Sequence, residues 1–137
     1  MTPRSSSPTL DFAESLYAAL DDDDVEPFVG LCAEDVVIRY PAAGLLPYGG
    51  TWHGHEGVRA FLEAHDAAEE IVAFEPSHMT ADGNRVIVLG MFEGRAKPTG
   101  VVWSTEFVHV LSVVSGRLTR WDGYFDTAVA LQAHRID

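Results

Sequence analysis

The sequence has very little cysteine, an excess of acidic over basic residues, and no long apolar run. Its single cysteine, Cys32, excludes an internal disulfide and fits a reducing compartment. No stretch approaches the roughly 20 apolar residues of a membrane span, and the N-terminus lacks the apolar middle of a signal peptide. The net charge of −12 would repel the phosphates of nucleic acid. We therefore expect a cytoplasmic protein that binds neither membranes nor nucleic acid.

Enough apolar sequence is present for one ordinary hydrophobic core. The chain has 137 residues, of which 47% are hydrophobic and 10% aromatic, which is typical of a single globular domain. Residues 1–9 contain three serines and two prolines and predict a flexible tail. The domain itself is expected to span residues 10–137. Because Cys32 is a lone thiol in a predicted helix, we interpret it as a small core residue rather than a nucleophile.

The most informative stretch is a predicted hairpin from Val101 to Asp126, with a tight turn at Ser115–Gly116. Side chains alternate along both strands, so each strand presents one face to the interior. The inward side chains are predicted to be Trp103, Thr105, Phe107, His109 and Leu111 on the first strand, and Thr119, Trp121, Gly123 and Phe125 on the second. An apolar face with a few polar points suits a small-molecule pocket, but equally an ordinary core.

The remaining pattern predicts an α+β fold. In chain order, the expected elements are a helix from Leu10 to Leu20, a helix from Val25 to Cys32 capped by Asp24, a strand from Val36 to Tyr40, a loop from Ala42 to Thr51, a helix from His55 to about Glu70, strands at Ile71–Thr80 and Arg85–Arg95, the hairpin, and a short helix at Thr127–His134. Three helices before a long run of antiparallel strands predict helices packed on the concave face of a curved, mostly antiparallel sheet. A cavity between the two layers follows from that curvature.

Three motifs resemble the nuclear transport factor 2-like superfamily, and specifically its SnoaL-like branch. They are Val25-Glu26-Pro27-Phe28 with Ala33-Glu34-Asp35-Val36-Val37, the stretch from Trp52 to Phe61, and Ser115-Gly116-Arg117-Leu118 followed by Trp121 and Tyr124-Phe125-Asp126. This branch includes polyketide cyclases, with ketosteroid isomerases and limonene-epoxide hydrolases as relatives. The resemblance implies a cone-shaped α+β barrel with a small-molecule pocket, and a homodimer formed through the outer face of the sheet.

The acidic residues that those relatives use are replaced in this sequence. The relatives' aspartate on the last strand corresponds to Gly123 in this sequence. Their aspartate just before the proline that ends the first strand corresponds to Tyr40, and their acid on the penultimate strand corresponds to Phe107. Asp122 is adjacent to Gly123, but strand alternation directs it to the opposite face. The sequence therefore predicts that none of the three family mechanisms operates unchanged.

His109 is the strongest remaining candidate for chemistry, because an imidazole can act as acid or base near neutral pH. Tyr40 and Tyr17 could donate hydrogen bonds to a carbonyl or enolate oxygen, so we assign these three residues as catalytic candidates. The expected substrate-binding residues are Trp52, Trp103, Thr105, Phe107, Trp121 and Phe125. The competing interpretation makes His109 a hydrogen-bonded wall residue and Tyr40 ordinary packing.

We expect a cofactor-independent enzyme of SnoaL-like type, acting by isomerisation, cyclisation or dehydration on an apolar, ring-bearing or polyketide-like substrate in bacterial specialised metabolism. The alternative is a non-catalytic small-molecule-binding or dimerisation module of the same fold. No metal site is expected, since His65 lies ten residues beyond His55, nearly three helical turns, and no acidic residue has ligand spacing with His53 or His55. His78, near a strand end, is expected to be exposed.

Overall fold

The computed structural model describes residues 7–135 of the chain. The predicted flexible tail at residues 1–9 falls largely on residues 1–6, which lie outside the described residues; Pro8 and Thr9 already belong to the first helix. The elements are α1 (Pro8–Leu20), α2 (Glu26–Gly30), β1 (Cys32–Tyr40), β2 (Gly50–His53), α3 (Gly54–Ala68), β3 (Glu69–Asp82), β4 (Arg85–Ala96), β5 (Val102–Val114), β6 (Arg117–Phe125) and α4 (Thr127–Ala133).

The strands form one six-stranded sheet in the order β2-β1-β6-β5-β4-β3. Every neighbouring pair is antiparallel except β1 and β6, which run parallel. Register shifts interrupt the β1–β6, β3–β4 and β5–β6 pairings, and such bulges bend and twist a sheet. The α+β class and the curved, mostly antiparallel sheet predicted from the sequence are confirmed.

The structure corrects three details of the predicted element order. The second helix is a single short turn ending at Gly30, and Cys32 lies in β1 rather than in that helix. A short edge strand, β2, lies where a loop was expected, because its backbone pairs with β1 despite having no hydrophobic alternation of its own. The third helix ends at Ala68 and β3 begins at Glu69, where the sequence predicted a helix to about Glu70; the short helix predicted at Thr127–His134 is present as α4.

The core role predicted for Cys32 agrees with the structure, but the predicted N-cap was wrong. The N-cap of α2 is Val25, which makes no side-chain cap, and Asp24 lies one residue before it, where its carboxylate accepts the backbone N–H of Glu26 at 3.0 Å. Cys32 is 2% exposed, and burial raises the pKa of its thiol to about 12. A thiol that stays protonated at neutral pH is a poor nucleophile, which agrees with a core role.

Over most of the β5–β6 hairpin, the side chains predicted to point into the core do so. The five alternating β5 side chains from Trp103 to Leu111 are all buried, and the turn sits at Ser115 and Gly116, both with positive φ. The prediction was wrong at the start of β6. A register shift after Ser112 turns Leu118 into the core, where it is 0% exposed, while Thr119 is only half-buried.

Asp122 lies on the face opposite the core, as strand alternation predicts. Its carboxylate forms salt bridges with Arg39, whose Nε is 3.0 Å from Oδ1, and with Arg120, whose Nε is 2.8 Å from Oδ2. The two arginines cover it, so that only 7% of Asp122 is exposed. This carboxylate stabilises the pairing of β1 with β6 and is not available to the interior.

A second buried carboxylate, Glu69, connects the start of β3 to the C-terminal segment. Its side chain accepts a hydrogen bond from the Trp103 indole at 3.0 Å and from the Tyr48 hydroxyl at 3.2 Å. The Nε2 of His134, just after α4, also contacts the Glu69 carboxylate in a buried hydrogen bond. Three donors compensate the loss of hydration that burial of a carboxylate would otherwise cost.

No helix among residues 7–135 is long and apolar enough to cross a membrane.

We predict that Glu69→Ala lowers the free energy of unfolding by about 3–5 kcal/mol, because His134, Tyr48 and Trp103 lose their shared hydrogen-bond acceptor. Glu70→Ala is the matched control. Glu70 is 58% exposed in its pair with Arg95, and loss of such a surface pair costs about 0–1 kcal/mol. Urea unfolding measures both variants, and equal losses would show that the Glu69 network adds nothing to stability.

Candidate functional site

A cavity of about 160 Å³ lies between the inner face of the sheet and the helices α1 and α3. Its walls are mainly aromatic and aliphatic, and the exposed side chains Asp21 and Ile71 mark its opening. The lining residues are Leu20, Asp21, Tyr40, Tyr48, Leu62, His65, Ile71, Phe74, Phe92, Trp103, Thr105, Phe107, His109, Trp121 and Phe125. A concave apolar space with a few polar groups is the usual form of a small-molecule site.

His109 lies in the wall of this cavity with a tyrosine hydroxyl at each ring nitrogen. The Tyr17 hydroxyl is 2.7 Å from Nδ1, and the Tyr40 hydroxyl is 3.4 Å from Nε2. Tyr17 comes from α1, Tyr40 from the end of β1 and His109 from β5, so three separate elements meet at one imidazole. The three residues proposed from the sequence as catalytic candidates are brought together.

Tyr40 reaches His109 because position 123 carries no side chain. Gly123 is the direct β6 partner of His109, and a Cβ built on Gly123 would lie 2.7 Å from Cε1 of the Tyr40 ring. Real Cβ atoms do not approach other atoms so closely, so the ring fills the space that a side chain at 123 would need. The presence of Tyr40 and the absence of an aspartate at 123 are therefore parts of one packing arrangement.

Burial governs the charge of this group. It lowers the pKa of the His109 imidazole to about 3, so the ring is neutral at physiological pH. Burial and, second to it, the Tyr40 phenol raise the pKa of Tyr17 well above its ordinary value. Burial also raises the pKa of Tyr40 to about 12, although the nearby Trp121 indole lowers it in part. All three groups are uncharged near pH 7.

A neutral imidazole has one N–H donor and one bare nitrogen acceptor. One of the two tyrosines must therefore donate to His109 while the other accepts from it. When Nε2 carries the proton, the Tyr40 hydroxyl accepts from the ring and its own proton is free to point at a ligand. The arrangement can thus offer a hydrogen-bond donor to a ligand oxygen in the cavity.

The Trp121 indole adds a second polar point to the same wall. Trp121 is 4% exposed and lines the cavity. Its Nε1 is the one buried side-chain donor or acceptor among residues 7–135 without a partner in a hydrogen bond of regular geometry. Buried donors without partners cost free energy, so this N–H is a candidate contact for a bound ligand.

Five of the six predicted substrate-binding residues line the cavity: Trp103, Thr105, Phe107, Trp121 and Phe125. Thr105 contributes little polarity there, since its hydroxyl donates to the Glu106 carbonyl and accepts from the Asp126 N–H. Trp52 is outside the lining. Its indole donates to the Tyr48 carbonyl at 3.1 Å and its ring packs on Phe61, so it supports the wall from behind.

Sequence reasoning missed several residues that shape the site. Tyr48 lies in the loop after Pro47, where no periodicity signals burial, yet it is 1% exposed. Phe74 on β3 and Phe92 on β4 point into the cavity, whereas the sequence alone did not predict which side chains of these two strands point inward. His65 was considered from the sequence as a metal ligand, which was rejected, and it lines the cavity instead.

The other histidines lie apart from the cavity lining. His53 and His78 are exposed, as expected for His78, and His55 contacts the Cys32 carbonyl at 2.9 Å. Within residues 7–135, no three side chains of His, Cys, Asp or Glu are grouped so that they could hold a metal ion.

Comparison with known proteins adds the family context. The family model described as the SnoaL-like domain matches residues 13–121. A solved NTF2-like protein from Burkholderia xenovorans is 28% identical, with 95% of this chain and 98% of that chain covered and a TM-score of 0.86. An NTF2-like protein of unknown function from Burkholderia pseudomallei is 30% identical, with 93% and 98% covered and a TM-score of 0.84.

TerC, solved as a co-crystal with polyporic acid, is 27% identical, with 94% of this chain and 99% of that chain covered and a TM-score of 0.80. A search of curated protein sequences gave no significant match.

The imidazoles of His109, which is buried, and of His65, which is half-buried, should make the protein labile to acid. Burial lowers the pKa of His109 to about 3 and that of His65 to about 4, whereas both rise to about 6.5 on unfolding. Their stabilising effect is therefore complete above pH 6.5 and is lost as the pH falls toward the folded values. Each histidine should therefore lower the free energy of unfolding at pH 5 by about 2 kcal/mol relative to pH 7.

Urea unfolding at pH 7 and pH 5 tests this expectation. His65→Phe keeps a ring of similar size and should reduce the loss between the two pH values by about 2 kcal/mol. His78→Gln removes an exposed imidazole and should leave the loss unchanged. If both variants lose the same free energy of unfolding between pH 7 and pH 5, the lowered pKa of His65 is contradicted.

Proposed function

Because the chain belongs to the SnoaL-like family, we propose that it is a cofactor-independent enzyme that moves protons on an apolar, ring-bearing small molecule. The reaction class is isomerisation, cyclisation or dehydration. We place it in a reducing, cytoplasmic setting, in keeping with a single buried cysteine, and in bacterial specialised metabolism.

One observation carries this proposal: a neutral imidazole held between two phenols in the wall of an apolar cavity. The contacts of 2.7 Å and 3.4 Å fix His109 without charged partners. Such groups have little reason to meet in an ordinary core, where apolar side chains would pack at lower desolvation cost. A hydrogen bond offered from this wall acts in a medium of low dielectric, where it stabilises developing charge strongly.

The roles of the three residues follow from their places. Tyr40 and His109 line the cavity and are the proposed catalytic residues. Tyr17 lies behind His109, outside the lining, and is a positioning residue that fixes the ring through Nδ1. With a pKa of about 3, His109 is a weak base at neutral pH, so it supports Tyr40 as a donor rather than removing a proton alone.

In an enolisation, the Tyr40 hydroxyl would donate to the substrate carbonyl while the adjacent C–H bond breaks. The electrons of that bond form the enolate, whose oxygen charge the Tyr40 O–H stabilises, and the proton passes to water near the cavity opening. In a dehydration, the same donor would assist a hydroxyl as it leaves. Both steps use the same contact, which is why the geometry supports a class of reactions.

The walls support the proposed substrate class. Aromatic rings on several sides of the cavity favour a flat, ring-bearing ligand, since aromatic pairs are stabilised in stacked and edge-on arrangements. The similarity to TerC points in the same direction, because its co-crystallised ligand, polyporic acid, is a ring-bearing small molecule.

The alternative is a binding module with the same pocket and no turnover. One observation favours it: of the described residues that line the cavity, Asp21 at the opening is the single carboxylate. A site without an internal carboxylate has no strong base to begin a proton transfer.

Hydrogen–deuterium exchange separates the two functions. The test substrate is 2-tetralone, a fused-ring ketone with enolisable protons. We expect the protein to accelerate the loss of its C1 proton signal in D₂O, measured by ¹H NMR. Tyr40→Phe and His109→Gln should each lower that rate by about 100-fold, the usual effect of losing a donor to an oxyanion.

Tyr124→Phe is the matched control, because it removes a hydroxyl from a tyrosine that is 47% exposed on the outer face. It should retain the full exchange rate. Tryptophan fluorescence titration with 2-tetralone measures binding by each variant. Binding by the wild-type protein with exchange no faster than in buffer would establish the binding module and overturn the enzyme.

We also infer a homodimer formed through the outer face of the sheet. Ile87, Leu89 and Met91 on β4 are 37%, 43% and 44% exposed, and their β5 partners include Val108 and Val110. Tyr124 on β6 pairs with Val108 and extends the apolar surface. A contiguous apolar patch of this kind is typical of a protein–protein interface.

The oligomeric state tests this inference. Light scattering after size exclusion should show a dimer for the wild-type protein and a monomer for Leu89→Glu, because a buried unpaired charge destabilises an interface. Leu45→Glu is the matched control, since Leu45 is 50% exposed in a loop away from this face. A wild-type protein that stays monomeric at high concentration would overturn the dimer.

A further inference from the structure

His65 is a second polar group in the cavity wall, contributed by the last turn of α3 rather than by the sheet. It is half-buried and lines the cavity. Its ring lies among three aromatic rings, with centroids at 4.6 Å from Tyr48, 6.0 Å from Phe92 and 6.2 Å from Phe61. Among the hydrogen bonds formed within residues 7–135, none involves a nitrogen of this imidazole.

The surroundings of His65 hold it in place. Tyr48 packs against its ring, and the Tyr48 hydroxyl is bound in turn by the buried Glu69 carboxylate at 3.2 Å. His134 also contacts Glu69, so the C-terminal segment supports the same wall. A side chain fixed by packing and by a supporting hydrogen-bond network presents a defined geometry to a ligand.

The imidazole is neutral. Burial lowers its pKa to about 4, with the nearby Asp66 acting in the opposite direction and His134 in the same direction. It therefore offers one N–H donor and one nitrogen acceptor. Neither ring nitrogen has a hydrogen-bond partner among the described residues, so both are available to a ligand in the cavity.

His65 and Tyr40 line the cavity from different layers of the fold, His65 from α3 and Tyr40 from the sheet. The Phe61 ring contacts both, with its centroid 4.7 Å from that of Tyr40 and 6.2 Å from that of His65. Tyr48 also contacts both, at 6.3 Å from Tyr40 and 4.6 Å from His65. Two hydrogen-bonding groups therefore line the cavity from its two layers, with aromatic rings beside them.

We propose that His65 binds a second polar group of the ligand, on the far side of its ring system from the oxygen that contacts Tyr40. The ligand class is then an uncharged ring compound with hydrogen-bonding oxygens at opposite ends. This inference rests on the proposed function of the same cavity and narrows its substrate class. His65 makes a binding contact and takes no part in the proton transfer itself.

A series of three ligands of one shape tests the proposal: naphthalene, 2-naphthol and 2,6-dihydroxynaphthalene, which carry no, one and two terminal hydroxyls. Affinities are measured by isothermal titration calorimetry. The wild-type protein should bind the diol about tenfold more tightly than 2-naphthol, the effect of one net hydrogen bond. His65→Phe should abolish that difference and leave the affinity for naphthalene unchanged.

His65→Gln provides the second variant, since its amide can both donate and accept. It should recover part of the preference for the diol, which a purely structural role of His65 would not predict. Circular dichroism checks that each variant is folded.

The outcomes separate this inference from the function it rests on. Failure of the wild-type protein to bind any of the three ligands would overturn the apolar pocket and both proposals with it. Binding of all three with no preference for the diol, or an equal loss for all three in His65→Phe, would overturn the His65 contact alone.

Discussion

The burial of one uncharged imidazole sets the constraints on this molecule. His109 is 4% exposed, and each of its ring nitrogens needs a partner away from water. Tyr17 and Tyr40 provide those partners from α1 and β1, which ties the helical layer and the sheet to the same point. The aromatic rings around them exclude water, and that exclusion keeps the imidazole neutral. Shape, charge state and candidate chemistry therefore have one common cause.

The sequence was sufficient where a single period controls the structure. Along β5 the alternation of side chains placed His109 and Phe107 inward, because a strand with one buried face cannot change register without exposing its apolar residues. The same logic failed at Leu118, where a bulge inserts a residue that no pattern reveals. It also overlooked β2, whose existence depends on backbone pairing with β1 rather than on its own composition.

The parts of the site that could not be predicted depend on contacts between distant segments. Glu69 lies beside a second glutamate at the junction of α3 and β3, and no sequence pattern marks it for burial. It is buried only because Tyr48, Trp103 and His134 converge on it from three other regions. Residue type and spacing identify side chains that are capable of chemistry, but tertiary contact decides which of them share an environment.

The contact between Tyr40 and the bare Cα of Gly123 has an evolutionary consequence. An aspartate introduced at position 123 would collide with the phenol, while loss of the phenol alone would leave a void beside His109. The two positions are therefore epistatic: a carboxylate-based mechanism and the histidine–tyrosine arrangement are separate packing solutions, and neither single substitution leads smoothly from one to the other. Divergence within this scaffold would have to change both sites together, or pass through an intermediate with an impaired interior.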